Sequence, residues 1–338
     1  MKREYKNYNF LNIMRFIMAI MVVSIHTVPL YSLKDTYAYD LWKTISLLAV
    51  PFFFISSGFF LGKKLNGYSE DGEKAIRSTR SKIIKFYLIY TIIYLPLTIY
   101  DYVTNGESII HNIALFFRNL IFIGEHFNSW ILWYLLSLIY GLTLLLFMYK
   151  KKVSLKKATI VGGILYLFGI ISNQFVKSGG VHIYYIYKLI TLTYNNGRIF
   201  NSLIYLCIGI IISKKNIKVS YKYIISFIIL LIIGSFVPEA LRSVLTVFES
   251  FLLFVMIINA NFKNSKLSNL CKYLSEKIYY WHLYFYSLLC LIYNGNNLDH
   301  VYGFKIFIEC LVLSILFSLM LYFMDSRRKV RDGTLFGE

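Results

Sequence analysis

The chain has 338 residues, 57% hydrophobic and 16% charged, with a formal net charge of +19 and a mean hydropathy of +0.58. Uncharged apolar runs recur from one end to the other, which excludes a soluble globular domain and specifies a polytopic membrane protein of the all-α class. Such a positive charge also raises nucleic acid as a partner, but the cations gather in the loops between apolar runs, so nucleic-acid binding is excluded.

Apolar runs of about 15–23 residues predict a bundle of about ten transmembrane helices. They lie near 10–30, 41–62, 83–104, 130–149, 158–173, 199–213, 222–236, 243–260, 276–293 and 304–324. With both termini cytoplasmic, most of the 36 Lys and Arg fall in inner segments, Lys150-Lys151-Lys152 and Arg327-Arg328-Lys329 acting as topology anchors. The apolar stretch 108–124 is read as an outer-surface amphipathic or re-entrant segment, because a further span there would carry the triple lysine outside. The expected organisation is one membrane-embedded domain over 1–338, with an inner loop at 63–82, outer segments at 105–129 and 174–198, and no soluble domain.

The first span, FLNIMRFIMAIMVVSIHTVPL, carries Arg15 and His26. An ionisable side chain within a span costs about 2.5–3.5 kcal/mol on insertion scales and marks function by default. Eleven helical residues make three turns with about 20° left over, so the two side chains leave one face, roughly 16 Å apart along the axis. No small-residue cleavage pattern follows, so this run is an anchor and not a removable signal peptide. Cys207, Cys271, Cys290 and Cys310 are scattered without CxxC spacing, which points to packing, with neither a disulfide framework nor a metal site.

The second span ends AVPFFFISSGFFLGKK; Pro51 there frees a backbone carbonyl, and Ser56, Ser57 and Gly58 permit close helix approach. In the inner loop, Arg77 and Arg80 at i, i+3 share a face if the loop turns helical, and two guanidiniums so placed can clamp a phosphate. Lys82 and Lys85 form an alternative pair at the same spacing, and both pairs also fit an ordinary inside-positive flank. Span three is rich in tyrosine and carries Pro96.

Trp130, Trp133 and Tyr134 sit where an interfacial aromatic belt is expected, and they equally suit the rim of a site for a sugar or other polar substrate. Arg198 closes the long outer segment 174–198, where it can bind an anionic group or snorkel to headgroups. Glu249 and Glu309 lie at depths in their spans comparable with that of His26, and either can orient or charge-stabilise it; Glu249 is preferred. His282, alone on an apolar helix, reads as a packed, hydrogen-bonded residue.

The R-x10-H spacing of Arg15 and His26, followed by VPFFFISSGFFL, resembles the integral-membrane acyltransferase 3 family. Arg77-Ser78-Thr79-Arg80 is similar to that family's RxxR, Trp130-Ile131-Leu132-Trp133 to its W-x-L element, Arg198 to an arginine before its sixth or seventh helix, and LSEKIYYWHLYF to its late S-x-x-I-Y-x-x-H pattern. Within the family, IHTVPL, AVPFFF and IIYLPLTIY look like the membrane half of the membrane-bound serine racemases of glycopeptide-resistance clusters, a half thought to import serine and normally followed by a soluble racemase domain. The chain stops at GTLFGE, so a free-standing homologue or a fragment is expected.

The resemblance implies a ten-helix core and transfer of an acyl group, usually acetyl, from cytoplasmic acetyl-CoA to a hydroxyl of a cell-surface glycan or its lipid-linked precursor, without a metal. On that reading Arg77 and Arg80, or Lys82 and Lys85, hold the CoA phosphates, Arg15 stands on the inner approach, His26 is general base, and Trp130, Trp133 and Arg198 contact the acceptor. A histidine with an ordinary pKa near 6.5 suits a general base. The competing classes are a transporter of serine or a similar small polar molecule, with Arg15 binding a carboxylate, and a structural or lipid-scrambling bundle. A transporter is expected to show an internal repeat or paired broken helices, and Pro51 and Pro96 have no counterparts in the second half. The abundance of Ile, Asn, Lys and Tyr fits a low-GC Gram-positive bacterium and hence a multi-pass protein of its plasma membrane.

Overall fold

Backbone within lipid can hydrogen-bond only to itself, and the apolar runs are accordingly helical. A computed structural model describes residues 8–104, 106–126, 129–177, 198–295 and 299–331, with side chains to 327. The helices are α1 (Asn9–Thr27), α2 (Tyr37–Ser46), α3 (Ala49–Lys64), α4 (Glu70–Thr104), α5 (Ile109–Arg118), α6 (Leu132–Lys150), α7 (Leu155–Lys177), α8 (Ser202–Lys214), α9 (Tyr221–Phe236), α10 (Glu239–Asn259), α11 (Ser265–Tyr293) and α12 (Phe304–Arg331). Among the described residues there is no strand. Among the described residues, seven stretches are long and apolar enough to cross a membrane: α1, α2 with α3, α4, α6, α7, α10 and α12. Each span expected from the sequence falls on a helix, and the protein is an all-α, multi-pass membrane protein.

Two boundaries differ from expectation. The second span is broken at Leu47-Leu48 into α2 and α3, so Pro51 lies in the first turn of α3, where a missing N–H breaks no helical bond. The expected inner loop 63–82 is short, because α4 starts at Glu70 with Glu70, Asp71 and Glu73 in its first turn, where acids complement the helix dipole. Most of the segment 174–198 lies outside the described residues.

The chain divides into two compact units, Met1–Ala49 with Met256–Glu338, and Val50–Val255. In the first, α1 packs along α11, and both pack on α12. Asn9 Nδ2 donates to Phe262 O and Asn12 Nδ2 to Ser268 Oγ, each at 3.0 Å, pinning the start of α1 beside the start of α11. At its other end α1 stops because Val28 turns left-handed (φ 43°), its N–H closing on Ser24 O, and Pro29 follows. The Gly303 N–H then donates to Thr27 O at 2.9 Å, and Tyr31 stacks on Tyr302 at 5.3 Å. The turn carrying His26 is thus fixed from both ends.

In the second unit α4 packs on α6, and α8 on α6 and α7. Helices α3 and α8 cross at Gly58 and Gly209, where a Cβ on Gly58 would strike the backbone of Leu206 and one on Gly209 the backbone of Ile55 and Phe59. Such contact needs glycine on both sides. The segment 108–124 is the amphipathic α5 followed by a π turn, Asn119–Ile123, that ends at Gly124 with φ 78°. The Tyr87 hydroxyl donates to Leu120 O and the Tyr140 hydroxyl to Ile121 O, satisfying carbonyls the π turn leaves open.

Candidate functional site

Three groups of ionisable residues stand out, one in the first unit and two in the second.

In the first unit, α1 is unbroken from Asn9 to Thr27, so Arg15 and His26 keep the common face and the axial separation that the spacing predicts. Both are half-buried. The His26 ring lies 5.4 Å, centroid to centroid and 33° tilted, from the ring of His282 on α11. His282 is fully buried. Its Nδ1 lies 2.9 Å from Ile278 O, one turn back on α11, and a carbonyl can only accept, so Nδ1 carries the proton. Its Nε2 has no partner in the structure. The neighbouring α12 contributes Cys310, whose Sγ donates to His282 O at 3.3 Å. The sequence reads His282 as a packed, hydrogen-bonded residue, which its burial and the bond to Ile278 O bear out, while its closeness to His26 was not expected. Glu309 accepts from the Tyr293 hydroxyl at 2.7–2.8 Å and belongs to this unit.

In the second unit, Arg77, Arg80, Lys82 and Lys85 all lie on α4. Arg77 Nε donates to Glu73 Oε1 at 2.7 Å, and Lys150 Nζ approaches the same oxygen at 3.5 Å, so one carboxylate joins α4 to the end of α6. Arg80, one turn further, keeps a buried Nε without a partner. Lys82 and Lys85 are exposed, Lys82 lying over Phe86 at 5.7 Å. The start of α4 is held by Tyr149, whose hydroxyl accepts from the Ser69 N–H at 3.0 Å and donates to Gly67 O at 2.6 Å. Glu249, on α10, is fully buried, and neither carboxylate oxygen has a hydrogen-bond partner.

The third group assembles around α6. Gly124 brings the chain close over Trp133, since a Cβ there would meet Trp133 Cα and Leu136. Glu125 follows and accepts from Arg198 Nη1 at 3.1 Å, while the guanidinium lies 5.4 Å over the Trp133 ring. Ser137, one turn along α6 from Trp133, donates to Ile199 O at 3.1 Å and accepts from Ser202 Oγ at 2.5 Å, fixing the turn that carries Arg198. Trp133 and Arg198, both expected from the sequence, therefore meet; Trp130 is half-buried in the turn before α6. The sequence did not single out Glu125. Burial pushes its carboxyl above the ordinary carboxylate range, and the Arg198 guanidinium opposes that. His126 stacks on Phe116 at 4.6 Å, buried, with both ring nitrogens unpartnered, and burial lowers it to about 4.

Among the described residues no cluster of His, Cys, Asp and Glu could hold a metal. The chain is 30% identical over 217 residues to an amino-acid racemase of Enterococcus faecalis, covering 62% of this chain and 29% of that protein. It is 29% identical over 234 residues to a serine/alanine racemase of Enterococcus gallinarum, covering 67% and 32%. The chain thus spans about a third of the length of the curated relatives it matches. No solved structure matches. Residues 8–323 match the acyltransferase 3 model, described as an acyltransferase domain, and with nearly the whole chain covered the protein belongs to that family of membrane acyltransferases.

Proposed function

We propose that the protein is a membrane O-acyltransferase that moves an acyl group, acetyl in the first instance, from cytoplasmic acyl-CoA to a hydroxyl of a cell-surface glycan or lipid-linked sugar, in the plasma membrane of a bacterium. The observation that carries the reading is the family match over 8–323, within which the R-x10-H pair sits on one unbroken helix. His26 takes the proton of the acceptor hydroxyl as its oxygen attacks the thioester carbonyl. The C–S bond breaks, and the proton passes to the departing thiolate. Arg15, on the same helix face, is assigned to the approach of the acyl donor. Arg77 and Arg80 are assigned to the CoA phosphates, an assignment supported by the unpartnered Arg80 Nε and by guanidinium preference for phosphate. Trp133 and Arg198, with Trp130 nearby in sequence, supply an aromatic and cationic surface suited to a sugar acceptor.

Acetyl-CoA binding and slow hydrolytic turnover by purified protein in detergent test this reading. Binding lost in Arg77→Ala/Arg80→Ala, with CoA release abolished in His26→Ala, is the expected result. The second reading, passage of serine or a similar small polar molecule, is favoured by the likeness to chains named as racemases of serine and alanine. Serine uptake into proteoliposomes without any acetyl-CoA binding would establish it in place of the first.

A further inference from the structure

We infer that His282 is a positioning residue for His26, holding the imidazole and stabilising it once protonated; the inference rests on the acyltransferase reading. His282 is buried, and its Nδ1–H is committed to Ile278 O, so Nε2 presents a lone pair. A buried acceptor without a donor costs about 1–3 kcal/mol, so the arrangement is explained if a donor arrives during function. The chemistry facing it comes from His26 on α1, from Tyr279 one turn back on α11 with its ring centroid at 6.4 Å, and from Cys310 on α12, and Cys310 is turned to the His282 carbonyl. Of the two neighbouring rings that of His26 is the nearer, at 5.4 Å against 6.4 Å, and it is the donor at hand.

The distance fits. Two imidazoles joined by an N–H···N bond of about 2.9 Å have centroids roughly 5 Å apart, and His26 and His282 are at 5.4 Å. When one nitrogen of His26 takes the proton of the acceptor hydroxyl, the other carries an N–H that the His282 lone pair can accept. His282 then does for His26 what a carboxylate does for the histidine of a serine hydrolase, fixing the tautomer and orientation. It forms no covalent bond and keeps its own proton on Nδ1. The proton from the hydroxyl goes to His26 and leaves with the CoA thiol.

The test compares wild type, His282→Phe and His282→Gln for CoA release from acetyl-CoA in detergent. Phenylalanine preserves the ring packing and removes the acceptor, whereas glutamine supplies a carbonyl oxygen near Nε2. The expected result is a fall in kcat of about 10²-fold in His282→Phe with KM for acetyl-CoA unchanged, and recovery of most of that loss in His282→Gln, with all three eluting as folded protein. Unchanged kcat in His282→Phe overturns the inference, as does a parallel loss in both variants together with lowered thermal stability, which would mark a packing residue. Wild-type protein that neither binds nor hydrolyses acetyl-CoA would instead overturn the acyltransferase reading itself.

Discussion

Arg198 donates to Glu125 at 3.1 Å across 73 residues of chain, and the same guanidinium lies over Trp133. The carboxylate is mostly buried and the guanidinium is 42% exposed, so the two partners pay different desolvation costs. Burial raises the Glu125 carboxyl above its usual 4.5. A carboxyl raised in the folded state favours folding while protonated, and that contribution is lost as the pH climbs from 4.5 through the raised value. Glu125→Gln is expected to remove this decline and leave the protein at least as stable at pH 7, because a half-open arginine loses at most about 1 kcal/mol from the broken pair. Melting temperatures from pH 4.5 to 8 check it, and a marked loss at pH 7 would show that the ion pair dominates.

The adjacent His126 works in the opposite direction. Burial against Phe116 depresses it from 6.5 to about 4. The unfolded chain therefore binds more protons between those values, so the stabilisation is complete above pH 6.5 and is lost as the pH falls toward 4. The full span is worth on the order of 3 kcal/mol. His126→Phe keeps the stacked ring and is expected to stay folded at pH 5, where wild type loses much of that stability. Equal acid sensitivity of the two proteins would place the weak point elsewhere.

Arg77 is engaged by Glu73 through Nε, and Lys150 shares the same oxygen. A phosphate at this arginine competes with that carboxylate. Glu73→Gln is therefore expected to tighten acetyl-CoA binding by about threefold, the scale of an exposed ion pair, while Arg77→Ala weakens it by tenfold or so, the scale of one charge-assisted hydrogen bond. Calorimetric titration reads both. Opposite signs for the two variants are the diagnostic, and a Glu73→Gln variant that binds more weakly would make the carboxylate part of the donor site.

Hydropathy and period carry most of the helices. A 19-residue helix from Asn9 to Thr27 follows from an apolar run closed by Val28-Pro29, and the face shared by Arg15 and His26 needs only the helical repeat. The break between α2 and α3 was not legible, because Leu47-Leu48 offers neither glycine nor proline as a signal. The length of α4 was hidden by its charged first turns, which read as loop although Glu70, Asp71 and Glu73 suit a helix N-terminus. What no single stretch discloses is which helix meets which. The glycine of SSG announces a close approach, yet its partner Gly209 lies 151 positions on. For the same reason the reach of His282 toward His26 and of Arg198 toward Glu125 emerges only with the tertiary fold.

Glu249 is fully buried on α10 with both carboxylate oxygens unpartnered. A carboxyl so placed is a net cost to the fold, since its polar atoms surrender water and gain no hydrogen bond in return. Groups that cost stability and persist are concentrated where function needs them. Glu249→Met replaces the carboxyl by an apolar group of similar volume, so it is expected to raise the melting temperature, by an amount corresponding to about 1 kcal/mol or more, while lowering CoA release at least tenfold. The two measurements are read together. A stability gain with full turnover would make Glu249 a dispensable buried acid, and a stability loss would mean that it is held by partners that form in the membrane, where lipid or bound substrate supplies what the protein does not.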